Sequence, residues 1–198
     1  MNYLKKINSR RIILGSQSPR RHMLLKGLGI NFEVMVNENQ DETYPAGLTE
    51  YEIPVYLARK KSQAFKKLPD ENTILITADT IVWIDSEVLG KPVDREDASN
   101  ILHKLSGNKH EVLTGVCIRS SENETAFCVK SDVYFRHLLP EEIAYYVDNY
   151  QPYDKAGAYG VQEWIGYIGI EKIDGSYFNV MGLPTQRLFL ELQKFVNE

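Results

Sequence analysis

The chain has few of the residues that build disulfides or metal sites, with two cysteines and four histidines among 198 residues. Cys117 and Cys128 both lie in strand-like sequence, which is typical of small buried side chains in a reducing compartment. The histidines show no metal-ligand spacing, so we expect none of them to have a site role. They are His22, His103, His110 and His137.

The sequence also has no long apolar runs, and we expect no secretory leader. No run approaches membrane-spanning length, and no apolar segment follows the positive charges near the N-terminus. The formal net charge of −4 argues against a general nucleic-acid binder, although a few local cations can still hold a small anion. We therefore expect a soluble cytoplasmic protein. Without linkers or repeats, the sequence predicts one domain over 1–198, or two lobes that share a sheet.

Three familiar active-site motifs are absent. The sequence contains no G-x-S-x-G elbow, no Walker A lysine motif and no G-x-G-x-x-G fingerprint. Chemistry through a serine nucleophile is therefore poorly supported.

Strand and helix patterns alternate instead, which predicts an α/β fold with helices covering a sheet. Two later runs read as an antiparallel hairpin, so we expect the sheet to be mixed. The predicted strands are 11–15, 32–36, 73–78, 111–119, 126–136 and one near 166–172. The predicted helices are 18–28, 49–68, one from the N-cap Asp94 to about 105, 140–149, and one from Pro184.

The segment from Ser16 to Arg21 follows an apolar strand and opens a helix. Gly15 permits the turn, Ser18 is a good N-cap, and Pro19 suits the first helical position. Free backbone N–H groups, hydroxyls and two guanidinium groups, those of Arg20 and Arg21, together favour a phosphate. The alternative is a solvent-facing helix start with two surface arginines.

Two polar positions interrupt apolar patterns. Lys61 falls on the apolar stripe of helix 49–68, where it either extends to the rim or points its ammonium into a site. Asp79 and Thr80 interrupt an apolar run, and a carboxylate at a strand end suits Mg²⁺ ligation or activation of a water. The alternative for Asp79 is an Asx-type turn that ends the strand.

Three further segments combine small residues with polar ones. Lys91 lies between a glycine and a proline, which also describes an ordinary turn lysine. The Gly-rich run 154–162 allows close approach to a ligand, and Gln162 offers an amide to a planar base. The alternative is a flexible loop before a helix. The run 175–184 is tight and bounded by glycines.

These segments, in this order, resemble the Maf family of nucleoside triphosphate pyrophosphatases, and the resemblance covers nearly the whole chain. The matching blocks are Ser16–Arg21 with Leu24-Leu25, Leu57–Lys61, Ala78–Val82, Gly90-Lys91-Pro92, Leu105–Val116, Asp154–Gln162 and Gly175–Pro184. The resemblance implies cleavage of a nucleoside triphosphate between its α- and β-phosphates, with a divalent metal, Mg²⁺ or Mn²⁺. It also implies an elongated mixed sheet flanked by helices, two lobes around a central cleft, frequent homodimers and a link to septum formation.

The resemblance also implies a branch and a set of roles. Pro19-Arg20-Arg21, Asp79-Thr80 and the loop 158–162 are similar to the branch that acts on dTTP, UTP and modified pyrimidine nucleotides. Asp79, Lys61 and Lys91 are then the catalytic residues. The substrate-binding residues are Ser16, Ser18, Arg20, Arg21, Thr80 and Gln162.

One departure concerns the second carboxylate. The family places an acidic residue after the second strand in an apolar-acidic-Glu context, whereas this chain reads Asn39-Gln40-Asp41-Glu42. We assign Glu42 as a metal ligand together with Asp79, with Asp41 as the neighbouring alternative. The alternatives for function are a pyrophosphatase acting on purine nucleotides or methylated GTP, and a non-catalytic nucleotide-binding regulator of cell division.

Overall fold

The computed structural model describes residues 2–37 and 41–197. Its helices are α1 Asn2–Asn8, α2 Pro19–Gly27, α3 Glu52–Gln63, α4 Arg95–Leu105, α5 Pro140–Tyr150, α6 Trp164–Gly169, α7 Tyr177–Val180 and α8 Thr185–Phe195. Its strands are β1 Arg11–Leu14, β2 Glu33–Val34, β3 Thr73–Ile84, β4 Glu87–Leu89, β5 Lys109–Arg119, β6 Glu124–Phe135 and β7 Ile170–Asp174. A short 3-10 turn covers Ala156–Ala158. Among the described residues, no helix is long and apolar enough to cross a bilayer.

The strands form one mixed sheet in the order β2-β1-β3-β5-β6-β7, with β4 paired to β3. Strand β1 is parallel to β2 and β3, while the β3–β4 and β6–β7 pairs are antiparallel. The predicted α/β class with a mixed sheet flanked by helices is therefore confirmed. Strands β5 and β6 are neighbours joined by a turn in which the Ser120 amide donates to the Asn123 carbonyl at 2.8 Å.

The chain divides into two compact units. The first comprises Met1–Asp79, Thr114–Val129 and Gly182–Glu198, and the second comprises Thr80–Leu113 and Lys130–Met181. Strands β3, β5 and β6 each pass from one unit to the other. In the first unit, β1 is buried from Ile12 to Leu14 because it lies between two parallel neighbours.

Helix α3 is shorter at both ends than the predicted helix 49–68. The Glu52 carboxylate accepts hydrogen bonds from the amide and hydroxyl of Thr49, and this contact fixes the chain just before the helix begins. At the other end, Pro69 disfavours a helical conformation at Leu68. The Arg119 guanidinium also binds the carbonyls of Ser62 and Phe65, at 2.7 Å each.

The predicted strand near 166–172 is wrong over its first half. Residues Trp164–Gly169 form helix α6, and β7 starts only at Ile170. The alternation of apolar residues with glycine looks strand-like, but the buried positions Ile165 and Gly169 are four residues apart, as on one face of a helix.

Candidate active site

Strand β3 carries Asp79 in its interior. It continues to Ile84, so the expected strand end beside Asp79 is wrong, and so is the alternative of an Asx-type turn. Because alternate side chains share a face of a strand, Thr77 and Asp79 point the same way, toward α3. The Thr77 hydroxyl donates to the Ala58 carbonyl at 2.7 Å, and this bond ties α3 to the strand.

Lys61 meets Asp79 on this face. Its ammonium donates to Asp79 Oδ1 at 2.5 Å and to Glu42 Oε1 at 3.2 Å. The side chains of Lys61 and Asp79 are each 9% exposed, whereas that of Glu42 is 40% exposed. Lys61 thus points its ammonium at carboxylates instead of extending to the rim.

The two acidic neighbours Asp41 and Glu42 have different partners. Asp41 accepts a 2.8 Å hydrogen bond from Lys60, whose ammonium also reaches the Thr43 carbonyl at 2.7 Å. The Lys60 bond, assisted by Thr43, holds the pKa of Asp41 well below its usual range. It is therefore Glu42 that shares a cation with Asp79. Asn39 and Gln40, which set the register of this segment in the sequence, lie outside the described residues.

A cavity of about 150 Å³ opens beside this cluster. Its lining residues are Gly15, Asn37, Asp41, Lys60, Lys61, Ala64 and Phe65. Gly15 leaves no room for a side chain, because a Cβ at this position would lie 2.8 Å from Thr77 Cγ2. The sequence had indicated a turn glycine, whereas the structure requires it for close packing of β1 against β3.

The predicted anion site at Ser16–Arg21 forms the start of α2. Ser18 occupies the N-cap position with extended dihedral angles and Pro19 begins the helix, as predicted, but the Ser18 hydroxyl makes no capping bond. Ser16 is buried, and its hydroxyl accepts the Ser18 amide at 3.2 Å. His22, to which sequence reasoning gave no site role, has Nε2 2.7 Å from the Ser16 carbonyl.

Arg21 donates hydrogen bonds to backbone carbonyls from two segments that are distant in sequence. Its Nε donates to the Gly182 carbonyl and its Nη1 to the Ala78 carbonyl, each at 2.8 Å. Burial lowers the pKa of Arg21, and the nearby charges of Asp79 and Glu42 oppose that shift. The guanidinium therefore lies close to both carboxylates, while its hydrogen bond to the Ala78 carbonyl holds the chain just before Asp79.

The remaining predicted site residues belong to the second unit. Thr80 is half-buried directly after Asp79, and Lys91 is exposed in the turn that follows β4. The Gly157 amide donates to the Gly90 carbonyl at 3.0 Å, which joins the Lys91 turn to the Gly-rich loop. Gly157 has a φ of +72°, and a Cβ there would lie 2.7 Å from Val82 Cγ2.

The segment around Gln162 is held by a polar network that the sequence did not reveal. The Tyr146 hydroxyl donates a short hydrogen bond to Glu163 and accepts the Gly160 amide at 3.0 Å. Lys155, 8% exposed, pairs with Glu163 at 3.1 Å. These contacts fix both sides of Gln162. Its Oε1 is buried and accepts no hydrogen bond among residues 2–37 and 41–197.

The sequence gives little indication that Tyr146 and Lys155 belong to a buried polar network. Tyr146 reads as an apolar position of helix 140–149, and Lys155 reads as a surface lysine of a loop. A polar partner for Tyr146 is expected only once its burial is known, because a buried hydroxyl needs a hydrogen bond.

The fold and the cluster in the first unit define an α/β protein with a buried carboxylate–lysine pair next to an arginine-rich helix start. The family model described as "Maf-like protein" matches residues 11–195. The chain belongs to the Maf family.

Curated relatives match over almost their full length. A dTTP/UTP pyrophosphatase from Parabacteroides distasonis is 53% identical over 192 residues, which are 97% of this chain and 100% of the relative. A dTTP/UTP pyrophosphatase from Porphyromonas gingivalis is 52% identical over 194 residues, 97% of this chain and 98% of the relative. A match to the crystal structure of a nucleoside-triphosphatase (dITP/XTP pyrophosphatase) from Mycobacterium abscessus covers 65% of this chain and 75% of that chain. Its TM-score is 0.38 and its identity 11%, too low to bear on the fold.

Proposed function

We propose that this protein hydrolyses dTTP and UTP, and modified pyrimidine nucleotides, to the monophosphate and pyrophosphate. The observation that carries the proposal is the buried Asp79 carboxylate bonded to Lys61, close to Arg21 at the start of α2. Relatives that are 52–53% identical are named dTTP/UTP pyrophosphatase. A triphosphate is strongly anionic, and its hydrolysis requires cations to stabilise charge and a carboxylate to act on water.

A divalent metal fits the carboxylates of the first unit. Asp79 and Glu42 already share one cation, the Lys61 ammonium, so their oxygens converge on a common point. The described residues contain no group of three or more His, Cys, Asp or Glu side chains suited to a metal. Mg²⁺ is commonly held by one or two carboxylates with substrate phosphates and waters. Asp79 and Glu42 would hold such an ion, which neutralises phosphate charge when bound.

Each site residue then has a separate role in the proposed reaction. Asp79 orients the attacking water and accepts its proton, while water oxygen bonds to the α-phosphorus and pyrophosphate leaves. Lys61 and Lys91 stabilise charge on the phosphate oxygens. Ser16, Ser18 and Arg20 bind phosphate at the start of α2. Arg21 holds the backbone before Asp79 through its bond to the Ala78 carbonyl.

The choice of base rests on Thr80 and Gln162 in this proposal. A pyrimidine such as thymine or uracil presents both donors and acceptors along one edge, and a primary amide matches such an edge. The Oε1 of Gln162 is buried and has no donor from the described residues, and in this proposal it gains a ligand N–H when the amide turns out of its buried position. Tyr146 and Glu163 support this amide by fixing the backbone around it.

The test is a panel of nucleoside triphosphates with Mg²⁺ or Mn²⁺, scored for pyrophosphate release. We expect the highest kcat/KM with dTTP and UTP. A preference for a purine nucleotide or 7-methyl-GTP would overturn the choice of branch. If no nucleotide releases pyrophosphate while dTTP or UTP still binds, the protein is a binding module, as expected of a division regulator.

Assembly and location complete the proposal. The protein works as a homodimer in the cytoplasm, and its activity is linked to septum formation. Sedimentation at micromolar concentration tests the dimer, which would be contradicted by a monomer mass at every concentration. Fractionation of cells tests the location.

A further inference from the structure

Lys61 stands between the two carboxylates that the proposed function gives to a metal. Its ammonium is 2.5 Å from Asp79 Oδ1 and 3.2 Å from Glu42 Oε1. The Lys61 and Asp79 side chains are both 9% exposed, so water screens this pair poorly.

An ammonium and a divalent ion cannot share these oxygens without cost. Mg²⁺ binds carboxylate oxygens at about 2.0–2.1 Å. An ion bonded to Asp79 Oδ1 would therefore lie within a few ångströms of the Lys61 nitrogen, and the two like charges repel. An ion bonded to the same oxygens as Lys61 would weaken or break the contacts that Lys61 now makes.

We infer that Lys61 is an internal counter-ion that competes with the metal for Asp79 and Glu42 and is released when the metal binds. The inference rests on the proposed function for the identity of the ion. Linkage is reciprocal. The factor by which Lys61 weakens metal binding therefore equals the factor by which bound metal weakens the pairing of Lys61 with the carboxylates. In the absence of metal, the ammonium keeps the buried Asp79 carboxylate paired. Once metal is bound, the freed ammonium is available to phosphate oxygens.

Lys60 provides a matched control. It precedes Lys61 on α3 and carries the same charge, but its partners are Asp41 and Thr43. A long-range effect of lysine charge on metal affinity would appear for both residues. A competition for Asp79 and Glu42 would appear for Lys61 only.

The experiment is a titration of Mn²⁺ into the nucleotide-free protein, with free Mn²⁺ measured by electron paramagnetic resonance. We expect Lys61→Gln to bind Mn²⁺ about tenfold more tightly than the unsubstituted protein, and Lys60→Gln to stay within about twofold, given the range typical of coupling between charged sites. Lys61→Arg keeps the cation and should also stay near the original affinity. Unchanged or weaker Mn²⁺ binding by a folded Lys61→Gln protein would overturn the inference.

A second measurement needs no substitution. The acylation rates of Lys60 and Lys61 are compared by mass spectrometry with and without Mn²⁺ in the unsubstituted protein. Release predicts faster modification of Lys61 on adding Mn²⁺, with Lys60 unchanged. Equal rates for Lys61 in both conditions would contradict release even if Lys61→Gln failed to fold.

Neither readout depends on turnover, which separates this inference from the proposed function. A protein that releases no pyrophosphate could still show the competition. Conversely, if the protein is an active pyrophosphatase but Lys61→Gln leaves its Mn²⁺ affinity unchanged, the proposed function stands and the inference fails.

Discussion

Arg21 Nη1 donates a 2.8 Å hydrogen bond to the carbonyl of Ala78, the residue before Asp79. The Nε of the same guanidinium binds the Gly182 carbonyl at 2.8 Å. One side chain from α2 therefore fixes the backbone that carries the candidate catalytic carboxylate. The sequence predicts a phosphate-binding role for Arg21, as for Arg20, and these two bonds make a positioning role the alternative for Arg21.

Substitution of Arg21 tests whether it positions Asp79 or holds phosphate. We expect Arg21→Gln to lower kcat for dTTP by about 100-fold with a smaller change in KM, because a displaced carboxylate weakens catalysis more than binding. Arg21→Lys should not restore kcat, since one ammonium cannot reproduce the planar fork that reaches both carbonyls. Steady-state kinetics measure both values.

The control for this prediction is Arg20→Gln, which should raise KM more than it lowers kcat if Arg20 binds phosphate. A rise in KM with unchanged kcat for Arg21→Gln would instead assign Arg21 to phosphate binding.

Tyr146 should matter through its hydroxyl. In Tyr146→Phe, Glu163 loses a hydrogen-bond donor and the Gly160 amide loses its acceptor, at a cost of about 1–3 kcal/mol in unfolding free energy. The backbone around Gln162 loosens as well, so kcat/KM for dTTP should fall. Urea denaturation and steady-state assays measure the two effects.

Tyr150 offers a matched control, because it stacks on Tyr146 with ring centroids 5.0 Å apart and is itself exposed. Tyr150→Phe should change stability by less than about 0.5 kcal/mol. Equal losses in the two variants would contradict a role for the Tyr146 hydroxyl.

His110 should make stability depend on pH. It is 1% exposed, and burial lowers its pKa from 6.5 to about 3, against a smaller opposing effect of Asp132. Between these values the unfolded chain binds a proton that the folded chain does not. Stability therefore falls as the pH drops below 6.5, by about 1.4 kcal/mol per pH unit.

The difference between the protein and His110→Gln isolates this contribution. From pH 7 to pH 5 the protein should lose about 2 kcal/mol more unfolding free energy than the variant, measured by urea denaturation. Parallel profiles for the two proteins would show that His110 takes up a proton in the folded state.

Local patterns in the sequence predicted most of the elements that shape the site. The structure contains four of these predicted features, because each depends on spacing or on a cap. They are the strand before Ser16, the N-cap position of Ser18, the helix carrying Lys61 and the N-cap Asp94. The burial of Lys61 does not follow from the sequence, since a lysine on an apolar stripe does not by itself show where its ammonium points.

Other features depend on contacts distant in sequence. The continuation of β3 through Asp79 requires a partner for that carboxylate, and Lys61 provides it from 18 residues away. Arg21 binds the Gly182 carbonyl, 161 residues away, and α3 ends close to Ser62, whose carbonyl Arg119 binds. Such pairs cannot be read from local periodicity.

Replacement of Asp79 by asparagine tests the central claim most directly. The amide keeps the size of the side chain but removes the charge that acts on water, so pyrophosphate release from dTTP should be lost. Asp41→Asn, whose carboxylate binds Lys60 instead, should retain most of the activity. Circular dichroism must show that both variants are folded. Loss of release in a folded Asp79→Asn protein is the predicted result, and turnover equal to that of the unsubstituted protein would contradict the account.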